Sequence, residues 1–390
     1  MAGVYGNIWK MYLYKFLVSF LLVNGVWVPY YLDYGGFSFF QVMVLESAFM
    51  FSSMVLTIPA GAVADVLGRK KALGLSLVFF ILSVGAYSMA PSFSLFIAAN
   101  VLWAIGFSLE QNAEVAMVYD SVRSSGKSVS SKSAISKLRS FEYAGFMISA
   151  PLGSMLAERL GLRAVMLFTA IPLVLCLIVP FLLKEPPKKR KQGISYVGQV
   201  KEGLKYFKNH TILKILALDR VVLDALFFLM FWIYPVMLMG RGLPLAYLGY
   251  ISTGIVAARL LLLNSFPRLE KLFSKKGYLL FSALIAGVSY LFLGITSSLW
   301  VSVILLLVLC GFGLTRYVLF DHYVNRFIPT GIRATVLGSI NMFEFFLLGI
   351  TFPFIGKLVE LNLEITLIII GIACIGFSLI SRVKEEHLID

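Results

Sequence analysis

Acidic side chains inside long apolar stretches are the residues of this sequence best suited to chemistry. Glu110 and Glu114 stand four residues apart in one such stretch, so a helix places both on one face. An ionisable side chain at the centre of a bilayer costs at least ~2.5 kcal/mol, so each needs a partner or a function. Two neighbouring carboxyl groups in a low-dielectric setting are suited to holding a proton or a cation. The alternative is that both glutamates form ion pairs that only hold the protein together.

Other charged residues lie in apolar stretches further along the chain. Arg220 and Asp224 are four residues apart and can neutralise each other as a pair on one helix. Arg259 and Glu344 also lie well inside apolar stretches, and we expect them to pair with each other. All four are candidates for a proton-coupling or substrate cavity.

Aromatic and polar residues accompany these charges. Aromatic faces next to carboxylates suit hydrophobic or cationic ligands, although Phe and Trp are also ordinary lipid-facing residues. Asn24 is a further polar candidate within the first apolar stretch. The aromatic candidates are Trp27, Tyr30, Tyr31, Phe227, Phe228, Phe231 and Trp232.

Long apolar segments must position these side chains. With 59% hydrophobic residues the chain exceeds the usual apolar content of a soluble domain. A membrane-spanning helix needs roughly 20 mostly apolar residues, and unbroken runs of that length are helical. Such runs predict an all-α integral membrane fold of twelve transmembrane helices. The predicted segments are 8–31, 39–62, 72–90, 93–119, 141–160, 164–183, 212–238, 245–265, 278–296, 299–320, 334–358 and 364–381.

The placement of the basic residues predicts the orientation of these segments. Of the 34 Lys and Arg residues, 27 fall at the two ends of the chain or in the even-numbered loops. Only Arg159, Arg163, Arg241 and Lys357 fall on the opposite side. An excess of Lys and Arg marks the cytoplasmic side, so we expect a multi-pass protein of the plasma (inner) membrane with both termini cytoplasmic. The net charge of +14 therefore reflects topology and does not indicate nucleic-acid binding.

A charged, proline-broken stretch divides the segments into six and six. We predict an N-terminal half at 1–183, a cytoplasmic linker with a surface helix at 184–211, and a C-terminal half at 212–390. The halves repeat weakly at an offset near 205 residues, and Lys15 aligns with Arg220 in that register. Two pseudo-symmetric six-helix halves would place a substrate site near the bilayer midplane.

The same register places Arg316 at about the depth of Glu110. This match motivates a hypothesis in which Arg316 pairs with Glu110 in one state and releases it in another. Such an exchange would couple protonation to a conformational change.

The loop between the second and third segments carries a signature string, GAVADVLGRKK, at 61–71. With this string, and its weaker copy at 270–276, residues 8–382 resemble the major facilitator superfamily. The loop departs from the family pattern at Val66, where a basic residue is usual. The resemblance implies alternating access, with the loop acting as a cytoplasmic gate. The matching residues are Gly61, Asp65, Gly68, Arg69, Lys70 and Lys71.

Shorter matches resemble the drug-efflux branches of that family. The sequence APLG at 150–153 resembles part of an antiporter motif, and residues 119–121, 325–329 and 333–337 resemble loop patterns of efflux proteins. The arginine that many proton-coupled antiporters carry in the fourth helix has no counterpart, because Trp103 and apolar residues occupy that stretch. This departure puts the usual coupling scheme in doubt. We assign Asp120, Arg123, Arg139 and Glu142 to the cytoplasmic gate network.

Several function classes are disfavoured by missing patterns. The sequence contains no G-x-x-x-x-G-K-[ST] phosphate loop, so ATP-driven pumping is not indicated. The three histidines show no metal-ligand spacing, and no nucleophile–base arrangement is visible. We expect neither an enzyme nor a cofactor.

The predicted function is secondary active transport, most simply proton-coupled export of small hydrophobic or cationic compounds. One alternative is uptake or exchange of an anionic metabolite by the arginines at 220, 259 and 316. Another is a non-transporting membrane sensor or scaffold. The expected partners are a small-molecule substrate, protons and the lipid bilayer, and nothing in the sequence argues against a monomer.

Overall fold

A computed structural model describes residues 2–125, 130–186, 205–329 and 332–388. The described residues form helices joined by short turns, and no β-strand occurs among them. They group into two compact units, one of Met1–Gln192 with Pro244–Thr253, the other of Gly193–Leu243 with Gly254–Asp390. The predicted surface helix of the linker lies for the most part outside the described residues.

The described residues of unit 1 form six long helices. α4 packs against both α2 and α3, and α1 packs against α5. The helices are α1 (Ala2–Ser19), α2 (Phe39–Leu67), α3 (Arg69–Tyr87), α4 (Phe93–Ser125), α5 (Ser131–Leu160) and α6 (Leu162–Cys176, continued by Ile178–Leu182).

Unit 2 repeats this order of helices. α10 packs against α7 and α9, and α9 also packs against α12. The helices are α7 (Thr211–Gly240), α8 (Leu245–Phe273), α9 (Lys275–Ile295), α10 (Leu299–Arg326), α11 (Arg333–Leu361) and α12 (Leu363–Ile380). Residues 245–253 of α8 group with unit 1.

Ten of these helices are long and apolar enough to cross a membrane. The two that do not qualify are α1 and α5, which correspond to the first and fifth predicted segments. After α1 ends at Ser19, the chain continues through a 3-10 turn, Leu22–Gly25, and a π-helical turn, Tyr30–Tyr34. α5 begins ten residues before the predicted segment 141–160, in a polar stretch that carries Lys132, Lys137 and Arg139.

Two glycines of unit 1 permit a tight turn and a close approach of two backbone segments. Gly68 joins α2 to α3 with a φ of 97°, a backbone conformation that residues other than glycine rarely adopt. Gly153 of α5 lies against the backbone of the 3-10 turn, where an added Cβ would be 1.6 Å from the carbonyl oxygen of Leu22. The turn after α1 is therefore packed directly on α5.

Candidate functional site

Unit 1 buries a cluster of charged side chains around Lys15 of α1. Its ammonium lies 3.0 Å from Glu110 Oε1 and 2.6 Å from Glu114 Oε2, both on α4, and 3.4 Å from Glu142 Oε1 on α5. The side chains of Lys15, Glu110 and Glu114 are 7%, 9% and 2% exposed. The two glutamates thus share one helix face, as their spacing predicted, and both face a single lysine.

Arg139 of α5 completes this cluster. Its Nη1 lies 2.9 Å from Glu114 Oε1 and 2.7 Å from Glu142 Oε2. Three carboxylates therefore meet two cationic side chains, which leaves one negative charge if all five groups are ionised. We call these five residues, Lys15, Glu110, Glu114, Arg139 and Glu142, the Lys15 cluster.

Unit 2 buries a related cluster around Arg220 of α7, whose side chain is 1% exposed. Arg220 Nη1 lies 2.5 Å from Asp321 Oδ1 on α10, and Nη2 lies 3.7 Å from Glu344 Oε2 on α11. Arg220 Nε lies 3.7 Å from Asp224 Oδ2, so the predicted pair on one helix exists, although its contact is long. Nη2 also donates to Asn341 Oδ1 at 3.2 Å. One guanidinium is thus shared by three carboxylates, and we call this group the Arg220 cluster.

The two clusters follow the internal repeat. In each cluster, one basic residue on the first helix of the unit contacts acidic residues on the fourth and fifth helices. Sequence reasoning aligned Lys15 with Arg220 but did not select Lys15 or Asp321 as site residues. The available signal for Lys15 was its position within the predicted segment 8–31.

Arg316 is bound within unit 2. Its Nη2 lies 2.6 Å from Asp219 Oδ1, and its Nη1 donates to Ser282 Oγ at 3.2 Å and to the carbonyl of Leu279. Glu110, the partner in the hypothesised exchange, accepts a hydrogen bond from Lys15 within unit 1. Asp219 of α7 therefore satisfies the guanidinium in this structure, and the exchange with Glu110 stays a hypothesis.

The expected pair of Arg259 and Glu344 is also corrected. The basic partner of Glu344 is Arg220. Arg259 lies half-buried on α8. The sequence places both residues in apolar segments but does not give the rotation of α8 and α11, which decides which charges meet.

The predicted polar and aromatic residues of the first segment pack inside unit 1. Asn24 donates to the Ser19 carbonyl at 3.0 Å and to Ser149 Oγ at 3.3 Å. The half-buried Trp27 ring has its centroid 5.8 Å from that of Trp103. Tyr31 is buried, with 1% of its surface exposed. These contacts favour a structural role for Asn24, whereas Trp27 keeps some accessible surface.

The basic loop after α2 bonds to the end of α6 and to α4. Arg69 Nε lies 2.9 Å from Asp120 Oδ2. The backbone N–H groups of Arg69 and Lys70 donate to the Glu185 carboxylate at 2.8 and 2.9 Å, and Lys70 Nζ donates to the Phe181 carbonyl at 3.0 Å. A carboxylate at the first turn of a helix satisfies free N–H groups and favours the helix dipole.

The other predicted gate residues occupy different settings. Gly61 is buried in α2, whereas Asp65 and Arg123 are exposed. Gly68 supports the turn to α3. Glu142, predicted to belong to the gate, instead lies in the Lys15 cluster.

Unit 2 repeats the carboxylate contact at α9. The N–H groups of Lys275 and Lys276 donate to the Glu385 carboxylate at 3.0 and 2.8 Å, and Lys275 Nζ donates to the Leu388 carbonyl at 3.0 Å. The degraded sequence copy at 270–276 therefore preserves a structural contact even though most of the signature is lost.

Comparison with known proteins agrees with this repeated architecture. A family model described as Major Facilitator Superfamily matches residues 12–353. The chain belongs to the major facilitator superfamily. A curated relative, Quinolone resistance protein NorA of Staphylococcus aureus (strain MRSA252), is 23% identical over 368 residues, which cover 92% of this chain and 91% of the relative.

Solved structures of transporters share the architecture. The nucleoside transporter NupG superposes with a TM-score of 0.77 at 13% identity, covering 96% of both chains. A POT family transporter in complex with 5-aminolevulinic acid superposes with a TM-score of 0.72 at 14% identity, covering 97% of this chain and 94% of that one. At such identities these likenesses show the fold alone.

As a member of the major facilitator superfamily, this protein is a multi-pass membrane transporter and not an enzyme. The arrangement of its buried charges differs from the one that is usual in the antiporters it resembles. The fourth helix carries the acids Glu110 and Glu114, and the basic partner, Lys15, lies on the first helix.

Proposed function

We propose that this transporter exports small hydrophobic or cationic compounds in exchange for protons. The observation that carries the proposal is the composition of the Lys15 cluster, in which three carboxylates, two of them buried, meet two cationic groups. A buried negative charge without a partner is costly, so a proton or a cationic ligand is favoured there.

Competition for this charge provides a coupling mechanism. A proton on Glu110 or Glu114 weakens the ion pairs between α4 and Lys15, whose ammonium lies within 3.0 Å of both carboxylates. A cationic substrate near the cluster would favour loss of that proton by electrostatic repulsion. Protonated and deprotonated clusters would then stabilise different arrangements of α1, α4 and α5, as alternating access requires.

Two further observations support this proposal over transport of an anion. Arg220 and Arg316 are each held by carboxylates, which offsets the positive charge that would attract an anionic substrate. The relative at 23% identity is named for resistance to quinolones, which fits export of small organic compounds. The positive-inside pattern supports cytoplasmic termini, so the proposed export runs away from the side that holds the basic loops.

Accumulation of a fluorescent organic cation in efflux-deficient cells tests the proposal. Cells that express the protein should accumulate less dye than empty cells, and a protonophore should remove the difference. Glu110→Gln and Glu114→Gln at equal expression should abolish export. Glu158→Gln is the matched control because Glu158 is an exposed acid of α5 in the same unit.

Two results would contradict the proposal. Equal accumulation with wild type and empty cells would contradict export of this compound class. Export that survives the protonophore or both glutamine substitutions would contradict coupling through the Lys15 cluster.

A further inference from the structure

A second buried acid of unit 1 lies outside the Lys15 cluster. Glu46 of α2 is 5% exposed. Its Oε1 lies 3.1 Å from the hydroxyl of Tyr31, and that hydroxyl lies 3.1 Å from the hydroxyl of Tyr87 at the end of α3. Tyr30 continues the group by donating its hydroxyl hydrogen to the Tyr87 carbonyl at 2.5 Å.

Glu46 has no cationic partner within the described part of the chain. The stretch of α4 that precedes Glu110 contains no titratable residue. The basic residues of α3 occupy its first turn, while Tyr87 stands at its last residue. Of the basic residues near this end of the unit, Arg159 of α5 is exposed and Arg163 of α6 donates to the Ser88 carbonyl at 3.1 Å. Asp33, the remaining charged residue of the adjoining turn, is exposed.

Aromatic rings surround the two tyrosine hydroxyls. The Phe96 ring has its centroid 5.9 Å from that of Tyr31 and 5.2 Å from that of Tyr87. The Trp27 ring lies 5.8 and 5.7 Å from the same two rings. Such a setting solvates a carboxylate poorly, so the neutral acid is the favoured form of an unpaired Glu46.

We propose that Glu46 is a second proton-binding site, reached through the hydroxyls of Tyr31 and Tyr87. The hydroxyl chain works for both forms of the acid. When Glu46 is ionised, Tyr87 can donate to Tyr31 and Tyr31 to the carboxylate. When Glu46 is protonated, its own hydroxyl can donate to Tyr31, which then donates to Tyr87. Each hydroxyl both donates and accepts, so a proton passes along the chain without a large movement.

Infrared spectroscopy of the purified full-length protein tests proton binding without any transport assay. At neutral pH the wild type should show the carbonyl stretching band of a protonated carboxylic acid. Glu46→Gln should lower the intensity of this band, and Glu158→Gln, which removes an exposed acid, should leave it unchanged. Tyr31→Phe should retain the band at a shifted frequency, because the hydrogen bond to Glu46 is lost.

The outcomes separate this inference from the proposed export. A band of equal intensity in wild type and Glu46→Gln would overturn the proposal, whatever the export assay gives. If Glu46→Gln does not fold, the band of Tyr31→Phe decides: an unshifted band overturns the proposal. A protonated Glu46 in a protein that exports no cation would support this site while contradicting the proposed function. Any use of Glu46 in coupling rests on that function.

Discussion

Lys15 is the residue on which the charged core of unit 1 depends. It contacts two glutamates of α4 and one of α5 within 3.4 Å. Removing one member of a buried ion-pair group leaves its partners without compensation, which costs far more than the loss of a surface pair. At the scale of single residues, the lysine should therefore matter more than any one of its partners.

Lys15→Met should lower the free energy of unfolding by about 3–5 kcal/mol, because the glutamates keep their charge in a poorly solvated site. Thermal unfolding in detergent measures this loss. The loss should shrink as the pH falls, since protonation of the glutamates removes the uncompensated charge. Lys10→Met is the control, because Lys10 donates to the Leu182 carbonyl at the surface. Equal effects of the two substitutions would contradict the role of Lys15.

Arg316 and Asp219 form a separate pair within unit 2, and we predict that this pair stabilises the fold. A double-mutant cycle with Arg316→Gln and Asp219→Asn should give a coupling energy of about 0.5–3 kcal/mol, because either single change leaves a buried charge alone. Melting temperatures of the four proteins provide the measurement. Additive effects would mean that the contact of 2.6 Å contributes nothing to stability.

At the scale of elements, hydrophobic runs predicted most helices but not their ends. The apolar run 245–265 predicted the eighth segment, whereas α8 continues to Phe273. A helix can extend into charged sequence where water and lipid headgroups solvate the side chains, so composition marks the membrane core and not the helix. The break after Ser19 was not predicted, because it depends on packing against α5 and not on local composition.

The site was predicted only in part, for a related reason. The spacing of Glu110 and Glu114 fixed their common face, but only packing of α1 against α4 and α5 supplied Lys15 as their partner. The same limit explains why the sequence did not reveal Asp219 as the partner of Arg316, or the contact between Glu142 and Lys15. Sequence spacing constrains contacts within one helix, whereas contacts between helices depend on rotations that the sequence pattern leaves open.

Gly153 tests how the break after α1 is held. Gly153→Val should destabilise the protein by about 1–3 kcal/mol or more, because the added carbons overlap the Leu22 backbone. Thermal unfolding in detergent reports the change. Gly85→Ala in α3 is the control, because a Cβ there meets nothing within 4 Å and alanine favours the helix. An unchanged melting temperature of Gly153→Val would show that the turn and α5 can separate freely.

At the scale of the whole molecule, the two units form the same kinds of polar contact at corresponding positions. Glu185 and Glu385 bind the first turns of α3 and α9, and Lys15 and Arg220 each collect carboxylates. Sequence identity between the halves is too weak to reveal these correspondences beyond a few residues. The carboxylate contacts depend on backbone N–H groups, which every residue except proline provides, so the contact can persist while the sequence changes.

The orientation of the whole chain follows from charge placement and can be measured directly. Lys357 and Lys384 are both exposed, with 61% and 67% of their side chains accessible, and an odd number of predicted spans separates them. The three native cysteines, Cys176, Cys310 and Cys374, are buried, so they should react little with a maleimide. A membrane-impermeant maleimide added to intact cells should label Lys357→Cys and should label Lys384→Cys only after permeabilisation. The reverse pattern would place the basic loops outside and contradict the proposed orientation, and with it the direction of export. The turn at 35–38 follows the first predicted span, and Lys357 lies near the end of the eleventh. The expected pattern would therefore also place the tyrosines beside Glu46 toward the external side.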